Sequence, residues 1–378
     1  MDIKYIRSVE ELSALSGEWD NLLAQSPNNT ISLTWDWVRN WIDVYIDPDQ
    51  LLCIAIYDKQ KLVGLAPLWV KQTSYFGIIK LKVLSFIGSE EICPDHLDFI
   101  IAEKYINKIP KLFWEAVFGP LRKHWDIWEY HYVPSDSQIL HQFCQIAGIE
   151  YNCMKYEIEG YSICPYIALP DNWNNYVSSL SGNQRRALKI STDLIENAGT
   201  VSWDICKDVS NLDNLLATHI RLHHKSWQDR GQSGSFNTKK FNVFHRKFAE
   251  NRLSRNELLL CSLNLDGNPI GSFYGFEHNK IMYYYLLGVD REAVPKASIG
   301  RVVIGNCVRL SIERGCKELD LLRGFESYKY DWTKYERREW LVTFYNRSLF
   351  TLLLLMGLYL RRFMKHVIKY ISGAGKKK

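Results

Sequence analysis

Hydrophobic and polar residues recur along the chain with two periods, one typical of helices and the other of strands. Residues 8–25 have helical spacing, begin at a serine that can cap a helix and carry glutamate three residues later. Residues 34–45 form a second amphipathic pattern, with Trp37, Val38 and Trp41 on one stripe. Three strand-like runs follow, at residues 51–57, 61–70 and 78–87. The first part of the chain is thus predicted to fold as two helices followed by three strands.

The same succession recurs later in the chain. Helices are predicted for residues 212–230 and 236–250, and strands for residues 257–265, 269–277 and 280–289. The match extends to single residues. The first half has the segment 53–58 followed by Val63-Gly64, and the second half has the similar segment 261–266 followed by Ile270-Gly271. This recurrence favours an internal duplication with a long period, although unrelated α+β segments can also coincide. The predicted fold class is therefore α+β, with duplicated mixed sheets flanked by helices.

The two halves differ after their third strand. In the first half the chain enters an acidic, loop-like segment that contains Asp95, His96 and Asp98. In the second half it leads to a helix predicted for residues 299–314, with Ser298 as its N-cap, and then to a short strand at 318–321. A proline-bounded strand separates the halves and ends near Pro170. We therefore predict a first domain at 1–169, a second at 170–346, and a C-terminal helix and tail at 347–378.

The composition indicates a globular chain, and the distribution of charge shows where its basic residues lie. Of 378 residues, 47% are hydrophobic, which excludes a mainly disordered protein. Lysine and arginine number 47 against 42 acidic residues, but no acidic residue follows Glu339. Eight basic residues lie beyond that point: Arg347, Arg361, Arg362, Lys365, Lys369, Lys376, Lys377 and Lys378. Setting these eight aside leaves 39 basic against 42 acidic residues, a net charge of −3, so a nucleic-acid partner is not expected.

The apolar run at 349–360 precedes most of these basic residues. It is shorter than the roughly 20 residues that cross a bilayer, so it is not expected to span a membrane. It predicts a basic C-terminal helix that either lies in a membrane interface or packs on the second domain. The start of the chain has no secretory pattern, and nine cysteines without a CxxC pair indicate free thiols in a reducing compartment. The predicted location is cytoplasmic, with peripheral contact to the inner membrane face as one alternative.

A candidate anion site lies at the start of the helix predicted for 299–314. Ser298 and Gly300 stand at its N-terminus, and Lys296 and Arg301 flank them. Free backbone N–H groups and the helix dipole favour a phosphate at such a position. An ordinary capped helix with surface cations has the same pattern, so both interpretations stay open.

Two further groups of residues carry candidate chemistry. Residues 320–332 concentrate acids, bases, tyrosine and tryptophan directly after a strand, where α/β folds build their sites. His219 and His223 are four residues apart on a predicted helix, as metal ligands can be, but HExxH is absent and no acidic third ligand lies nearby. We therefore predict no metal site, and His223 remains a candidate proton acceptor.

One of these segments resembles a known family. Its motif consists of Asp320, Leu322, Arg323, Gly324, Glu326, Tyr328 and Lys329, with Trp332 close behind. It resembles the GNAT-type acyltransferases of the CelD-like, polysaccharide-biosynthesis branch, and weaker similarities extend over residues 8–345. These include Asp95-His96-Leu97-Asp98, Arg185 and Lys189, and His223 with Trp227. The resemblance implies a tandem GNAT fold, which is also similar to that of the Fem-type ligases.

The resemblance implies an acyl-CoA site, with acetyl-CoA as the first candidate for the cosubstrate. In such folds the cofactor lies between the fourth and fifth strands, with its pyrophosphate on the following helix start. The implied cofactor-binding residues are Val289, Ser298, Ile299, Gly300 and Arg301. Only Gly300 remains of the usual glycine-rich loop, and the first half has no matching helix start after Ile87, so one cofactor site is expected.

The resemblance also implies direct acyl transfer to an amine or hydroxyl of a sugar or cell-envelope precursor. The implied catalytic residues are Glu326, Tyr328, Lys329 and His223, with Glu326 first as the base and His223 and Asp98 as alternatives. The implied acceptor-binding residues are Asp95, His96, Asp98, Trp227, Arg323 and Trp332. Two other functions stay open: a Fem-like ligase that uses aminoacyl-tRNA, and a non-catalytic GNAT-fold subunit of a polysaccharide assembly system.

Overall fold

The structure, a computed structural model, describes residues 1–374 except 76, 78, 150–152 and 230; at 48, 79, 362 and 365–374 it describes the backbone alone. The helices are α1 (Val9–Ser13), α2 (Ser16–Leu23), α3 (Trp35–Tyr45), α4 (Ile109–Phe118), α5 (Gln138–Ile149), α6 (Trp173–Ser179), α7 (Gly182–Ala198), α8 (Val209–Gln228), α9 (Lys239–Ser254), α10 (Ile299–Glu313) and α11 (Leu349–Ala374). The strands are β1 (Asp2–Ile6), β2 (Cys53–Asp58), β3 (Lys61–Ala66), β4 (Leu68–Tyr75), β5 (Ile79–Phe86), β6 (Ile100–Ile101), β7 (Ile127–Pro134), β8 (Cys153–Ala168), β9 (Val201–Ile205), β10 (Leu258–Leu265), β11 (Asn268–His278), β12 (Ile281–Val289), β13 (Glu318–Asp320) and β14 (Tyr335–Asn346). Ile78 and Arg230, which bound two predicted elements, and residues 375–378 of the predicted tail lie outside the described residues.

The strands form two sheets, and their order shows the duplication. The large sheet has the order β4-β5-β7-β14-β8-β13-β12-β11-β10-β9, and the small sheet has the order β1-β2-β3-β6. In each half three antiparallel neighbours follow the same order, β1-β2-β3 and β9-β10-β11. Each half also contains one parallel pair, β5 with β7 and β12 with β13. The predicted α+β fold with duplicated mixed sheets is therefore confirmed.

Two glycines show the same duplication at the level of packing. A Cβ atom on Gly64 in β3 would lie 3.0 Å from the side chain of Ile109, the first residue of α4. A Cβ atom on Gly271 in β11 would lie 3.1 Å from the side chain of Ile299, the first residue of α10. In both halves a helix thus packs closely on a strand backbone where glycine leaves the room.

The first half therefore has a helix that packs like α10, although none of the described helices begins directly after Ile87, as expected. Helix α4 begins at Ile109, after the long segment 87–108, rather than directly after Ile87. Lys108 at its N-cap position makes no side-chain cap, and Pro110 stands in its first turn. The sequence pattern missed the match because the insertion between β5 and α4 interrupts the spacing of the other half. A single cofactor site stays a prediction.

Strands β8 and β14 join the two halves at the centre of the large sheet. They pair antiparallel from Cys153 with Asn346 to Tyr166 with Tyr335. Strand β14 also pairs with β7 of the first half, and β8 pairs with β13 of the second. Each half therefore completes the other half's sheet. The domain boundary at 169/170 falls directly after β8, and it stays a prediction.

Most predicted elements lie within a few residues of observed ones, but two are divided. The helix predicted for 8–25 consists of α1 and α2, which are separated at Ala14. Ser8 caps α1 as predicted. The strand predicted for 61–70 is interrupted at Pro67, because proline lacks the N–H group that a sheet ladder needs.

The C-terminal helix α11 packs on the large sheet. Its Leu354 is buried in one cluster with Leu81 and Val83 of β5 and Ile127 of β7. Across the described residues no helix, α11 included, is both long and apolar enough to cross a membrane.

Candidate active site

A cavity of about 490 Å³ opens where strands β12 and β13 separate. The two strands pair in parallel only at residues 281–283 of β12, and beyond Tyr283 the pairing ends. The predicted site residues on the cavity wall are His223, Trp227, Val289, Ser298, Ile299, Gly300, Arg301, Arg323, Glu326, Tyr328, Lys329 and Trp332. The structure thus brings together every predicted site residue except Asp95, His96 and Asp98. Their individual roles stay predictions.

Helix α10 presents an uncapped N-terminus to this cavity. Ser298 occupies the predicted N-cap position, but its hydroxyl makes no capping hydrogen bond. The N–H groups of Ile299 and Gly300 have no partner among the described residues. Unpaired N–H groups and the positive end of the helix dipole favour an anion there. Of the two interpretations of this sequence, the geometry therefore favours the anion site.

Two arginines add positive charge beside this helix end. Arg291 lines the cavity, and Arg301 donates to the carboxylate of Asp331 at 2.7 Å. A phosphate group would compete with that carboxylate for Arg301. Sequence reasoning missed Arg291 and Asp331, although Arg291 lies two residues after the end of β12, in a loop of the kind where folds place binding residues.

Replacing Gly300 with alanine should weaken acyl-CoA binding without changing the fold. A Cβ atom there would lie 3.4 Å from Leu287 and 3.7 Å from Val289, which are ordinary contact distances. The methyl group would instead take space beside the N–H groups that an anion approaches. We expect the dissociation constant for acyl-CoA, measured by calorimetry, to rise by about tenfold at an unchanged melting temperature. Gly182→Ala, at an open position in α7, is the matched control, and an unchanged dissociation constant in Gly300→Ala would argue against an anion at this helix end.

The loop 323–329 folds back on itself, with Lys329 at its centre. Lys329 is 3% exposed, and its ammonium donates to the carbonyls of Leu322 at 3.1 Å and Arg323 at 2.7 Å. It also lies 3.2 Å from a carboxylate oxygen of Glu326. These three partners use all three ammonium N–H groups. Lys329 therefore holds the loop, and the predicted proton transfer from it to a departing thiolate would require the loss of one contact.

Gly324 allows this conformation of the loop. Its φ is +136°, where L side chains are strained, and a Cβ atom would collide with the carboxylate of Glu326. That carboxylate is half exposed on the cavity wall. Tyr328 lines the same wall. The pKa of the neighbouring Tyr284 is raised well above 10, chiefly by burial and secondly by the nearby Tyr328. A carboxylate and a phenol thus face one cavity, as acid–base catalysis requires.

Helix α8 contributes His223 to the wall of the same cavity. Its ring nitrogens both have backbone partners: Nδ1 lies 3.1 Å from the carbonyl oxygen of Leu287, and Nε2 accepts from the N–H of Ser235 at 3.1 Å. These partners imply the tautomer with its proton on Nδ1, because Nε2 acts as an acceptor. For His223 to take a substrate proton, it would first have to lose the contact with Ser235. Glu326 therefore stays the first predicted base.

Ser226 lies about one turn after His223 on α8 and binds the backbone at the end of β12. Its hydroxyl oxygen accepts from the N–H of Val289 at 2.7 Å and lies 2.8 Å from the carbonyl oxygen of the same residue. A pantetheine arm that paired with Val289, as predicted, would have to displace this side chain. Sequence reasoning missed Ser226, although its spacing of three residues from His223 places both on one face of the helix.

Asp95 reaches from the first half of the chain to the loop of the second. It accepts from the backbone N–H of Arg323 at 3.0 Å and pairs with the guanidinium at 3.2 Å. The guanidinium also stacks on Tyr132, 3.9 Å from the ring centre. Burial, followed by the charge of Glu339, raises the pKa of Asp95 to about 7. Asp95 thus positions Arg323 on the cavity wall, and its contact with an acceptor stays a prediction.

His96 and Asp98 are buried nearby and have protein partners. The ring of His96 lies between two carboxylates, with Nε2 2.9 Å from Asp320 and Nδ1 2.9 Å from Glu339. Burial alone would lower the pKa of His96, but these two carboxylates outweigh it and raise the pKa well above 6.5. Asp98 accepts from the hydroxyl of Ser137 at 2.7 Å. The buried imidazolium therefore ties the first half to β13 and β14.

Potential metal ligands meet at one place among the described residues. The donor atoms of His96, Cys164 and Glu339 lie within 4.8 Å of one another. Both ring nitrogens of His96 already contact carboxylates, so the group is satisfied without an ion and we assign no metal. On α8, His219 lies 2.9 Å from a serine hydroxyl of β11, and burial lowers its pKa well below 6.5. His219 and His223 thus each have their own protein partner. The sequence left this arrangement open as the alternative to a shared zinc ion.

A second cleft of about 800 Å³ lies behind the first cavity. Tyr283 and Asp320 line this cleft, whereas the next residues along the chain, Tyr284 and Leu321, line the first cavity. Because successive residues of an extended chain point to opposite faces of a sheet, the two spaces lie back to back across β12 and β13. The wall of the second cleft also includes His96 and Asp98.

Comparison with known proteins agrees with this geometry at the level of the domain family. Residues 182–330, which contain most of the first cavity's wall, match the family model of an acetyltransferase (GNAT) domain. The second half of the chain is thus similar to an acetyltransferase (GNAT) domain. Among curated proteins, none matches the sequence.

Solved structures agree at the level of the fold. FemX superimposes with a TM-score of 0.62 at 10% sequence identity, over 92% of this chain and 97% of FemX. L-PGS from Bacillus licheniformis gives 0.51 at 13% identity, over 94% of this chain and 98% of its own. The C-terminal domain (DUF2156) of a putative lysylphosphatidylglycerol synthetase from Agrobacterium fabrum gives 0.50 at 10% identity, over 92% and 96%. At such identities the likeness shows the fold alone, and together with the duplication of the sheets it defines a tandem GNAT fold.

Proposed function

We propose that the protein transfers an acyl group from acyl-CoA, with acetyl-CoA as the first candidate, directly to an amine or hydroxyl of a sugar or cell-envelope precursor. The observation that carries the proposal is the cavity where the uncapped start of α10, the end of β12 and the loop 323–329 meet. The helix end suits the pyrophosphate of CoA, since it offers N–H groups and a positive dipole. The GNAT match of residues 182–330 supports the same class of donor. Use of acyl-CoA is consistent with the predicted cytoplasmic location.

Glu326 is the proposed general base. A primary amine has a pKa near 10 and is mostly protonated at neutral pH, so a proton must leave it before or during attack. The half-exposed carboxylate of Glu326 can accept that proton at the cavity wall. Attack forms the new bond to the acyl carbon and moves the carbonyl electron pair onto the oxygen. When this tetrahedral intermediate collapses, the C–S bond breaks and Tyr328 can protonate the thiolate that leaves. Backbone N–H groups at the gap between β12 and β13 would stabilise the oxyanion, each by about 3 kcal/mol.

The second cleft is the proposed entrance for the acceptor. Its wall is rich in hydrogen-bonding side chains: Asn28, Asn29, Ser135, Asp136, Gln138, Arg337 and Arg338. Such groups suit a hydroxyl-rich acceptor, and the resemblance of the 320–332 motif to the CelD-like branch points to the same class. An acceptor in this cleft and a thioester in the first cavity would approach the gap between the strands from opposite faces.

Incubation of the protein with acyl-CoAs and a fractionated cell extract tests the proposal. We expect an extract-dependent release of free CoA thiol, together with a sugar-containing product that gains the mass of one acyl group. Transfer only from aminoacyl-tRNA, with a steep dependence on salt, would replace the proposal by the Fem-like alternative. The net charge of −3 before Arg347 already argues against an RNA-bound donor.

A further inference from the structure

One face of α11 is apolar and exposed along the helix. Eight large apolar side chains, 43–73% exposed, form this face: Leu349, Leu352, Leu353, Met356, Tyr359, Leu360, Phe363 and Met364. They recur every three or four residues, so they make one continuous stripe, which we call the α11 stripe. At 1.5 Å per residue it is about 22 Å long. A soluble monomer rarely exposes so many large apolar side chains together, which marks the stripe as an interaction surface.

The opposite face of α11 fixes the helix to the body of the protein. Leu354 is 1% exposed and packs in one cluster with Leu81 of β5. Ser348 caps the helix, since its hydroxyl oxygen accepts from the N–H of Thr351 at 3.1 Å and the hydroxyl donates to Asp126 at 2.6 Å. The α11 stripe therefore cannot turn towards the core, and its exposure belongs to the folded chain.

The sequence around the stripe is strongly basic. From Arg347 to the last residue the chain carries eight lysines and arginines and no acidic residue, whereas the part before Arg347 has a net charge of −3. Arg347, just before the stripe, and Arg361, within its length, are both exposed. Like charges on this segment oppose its association with a second copy of itself, but they attract an anionic surface.

We propose that α11 docks the protein on the surface of an anionic lipid bilayer, with the α11 stripe at the boundary between headgroups and acyl chains. A helix that lies in this interface combines an apolar face with basic residues and is not hydrophobic enough to span. The described part of α11 has the apolar face, and its sequence has the basic residues. Among the described residues it is not a candidate membrane span. This docking does not depend on the proposed acyl transfer, and it would bring the active site to precursors held at a membrane.

Sedimentation of the full chain with vesicles tests the docking. Vesicles of equal parts phosphatidylglycerol and phosphatidylcholine are compared with vesicles of phosphatidylcholine alone, at low and high salt. We expect the intact protein to bind the anionic vesicles about tenfold more strongly than the neutral ones, and high salt to weaken that binding. If the intact protein does not sediment with anionic vesicles, the proposal is wrong.

A triple variant locates the binding on the α11 stripe. Leu353→Glu, Met356→Glu and Leu360→Glu together should lower binding to anionic vesicles by about tenfold or more, because they remove apolar surface and add negative charge. The matched control is Ile190→Glu with Val209→Glu, which changes side chains 46% and 49% exposed on α7 and α8 and should bind like the intact protein. Melting temperatures of both variants check that they fold.

A second variant and a second measurement separate lipid from protein as the occupant. Arg361→Glu changes an exposed charge and should weaken vesicle binding at low salt. Analytical ultracentrifugation of the intact protein without vesicles should show a monomer. If it shows a dimer that the triple variant converts to a monomer, the stripe is covered by a second copy and the lipid assignment is overturned.

Discussion

Glu326→Gln is expected to lower kcat by about 10²–10⁴-fold, while the affinity for acyl-CoA changes by less than about threefold. The amide keeps the size of the carboxylate and can still contact Lys329, so the loop 323–329 should keep its conformation. It cannot accept a proton from the acceptor, and the loss therefore falls on the chemical step. Steady-state release of CoA thiol measures kcat, and calorimetry measures the dissociation constant for acyl-CoA.

Glu313→Gln on α10 is the matched control for this variant. The side chain of Glu313 is 59% exposed and pairs with Arg309, much as the 50% exposed Glu326 pairs with Lys329. It lies outside the cavity and should keep kcat unchanged. An unchanged kcat in Glu326→Gln would remove Glu326 as the base.

His96→Asn is expected to lower the free energy of unfolding by about 3–5 kcal/mol, because it removes the buried cation between Glu339 and Asp320 and leaves only Arg337, 3.2 Å from Asp320, to compensate them. Asp320 and Glu339 each lie 2.9 Å from a ring nitrogen of His96, and their side chains are 1% and 0% exposed. Asparagine can donate hydrogen bonds but cannot carry the positive charge. Urea denaturation followed by circular dichroism measures the difference between variant and unchanged protein.

The size of this loss should depend on pH. The pKa of His96 in the folded state is raised well above 6.5, so its stabilising contribution is complete below about pH 6.5 and is lost as the pH rises through the folded-state pKa. Burial would raise the pKa of Asp320, but the charge of His96 outweighs it and lowers the pKa below 3.8. The contribution of Asp320 is therefore present above about pH 4 and is lost as the pH falls. The difference between the two proteins should be largest between about pH 4 and pH 6.5.

Two further variants test the cause of the loss. His141→Asn, at an exposed position of α5, should change the free energy of unfolding by less than about 0.5 kcal/mol. Adding Glu339→Gln to His96→Asn should restore part of the stability, because the buried charge that lost its cation disappears. A loss below about 1 kcal/mol in His96→Asn would show that this ion pair does not hold the halves together.

Local patterns predicted the elements that build the first cavity. The helix predicted for 299–314 corresponds to α10, and the strand predicted for 280–289 corresponds to β12. Both could be predicted because each element repeats its apolar positions within a few residues, so that the period is set locally. The segment 320–332 was also placed correctly after a strand, and its residues do line the cavity.

Contacts between distant parts of the chain could not be predicted in the same way. His96 contacts Asp320 and Glu339, which are 224 and 243 positions away in the sequence. No local pattern distinguishes this buried imidazolium from a histidine in a solvated turn or at an acceptor site. The pairing of β8 with β14 across the two halves is likewise set by the packing of the whole sheet rather than by either strand alone.

Calorimetry of the full chain with acetyl-CoA tests the central claim most directly. If the cavity between β12 and β13 is an acyl-CoA site, acetyl-CoA or a longer acyl-CoA should bind with a dissociation constant in the micromolar range. That affinity should fall about tenfold in Gly300→Ala and stay nearly unchanged in Glu326→Gln. If no acyl-CoA binds to the intact protein, the cavity is not a cofactor site and the proposed acyl transfer is contradicted.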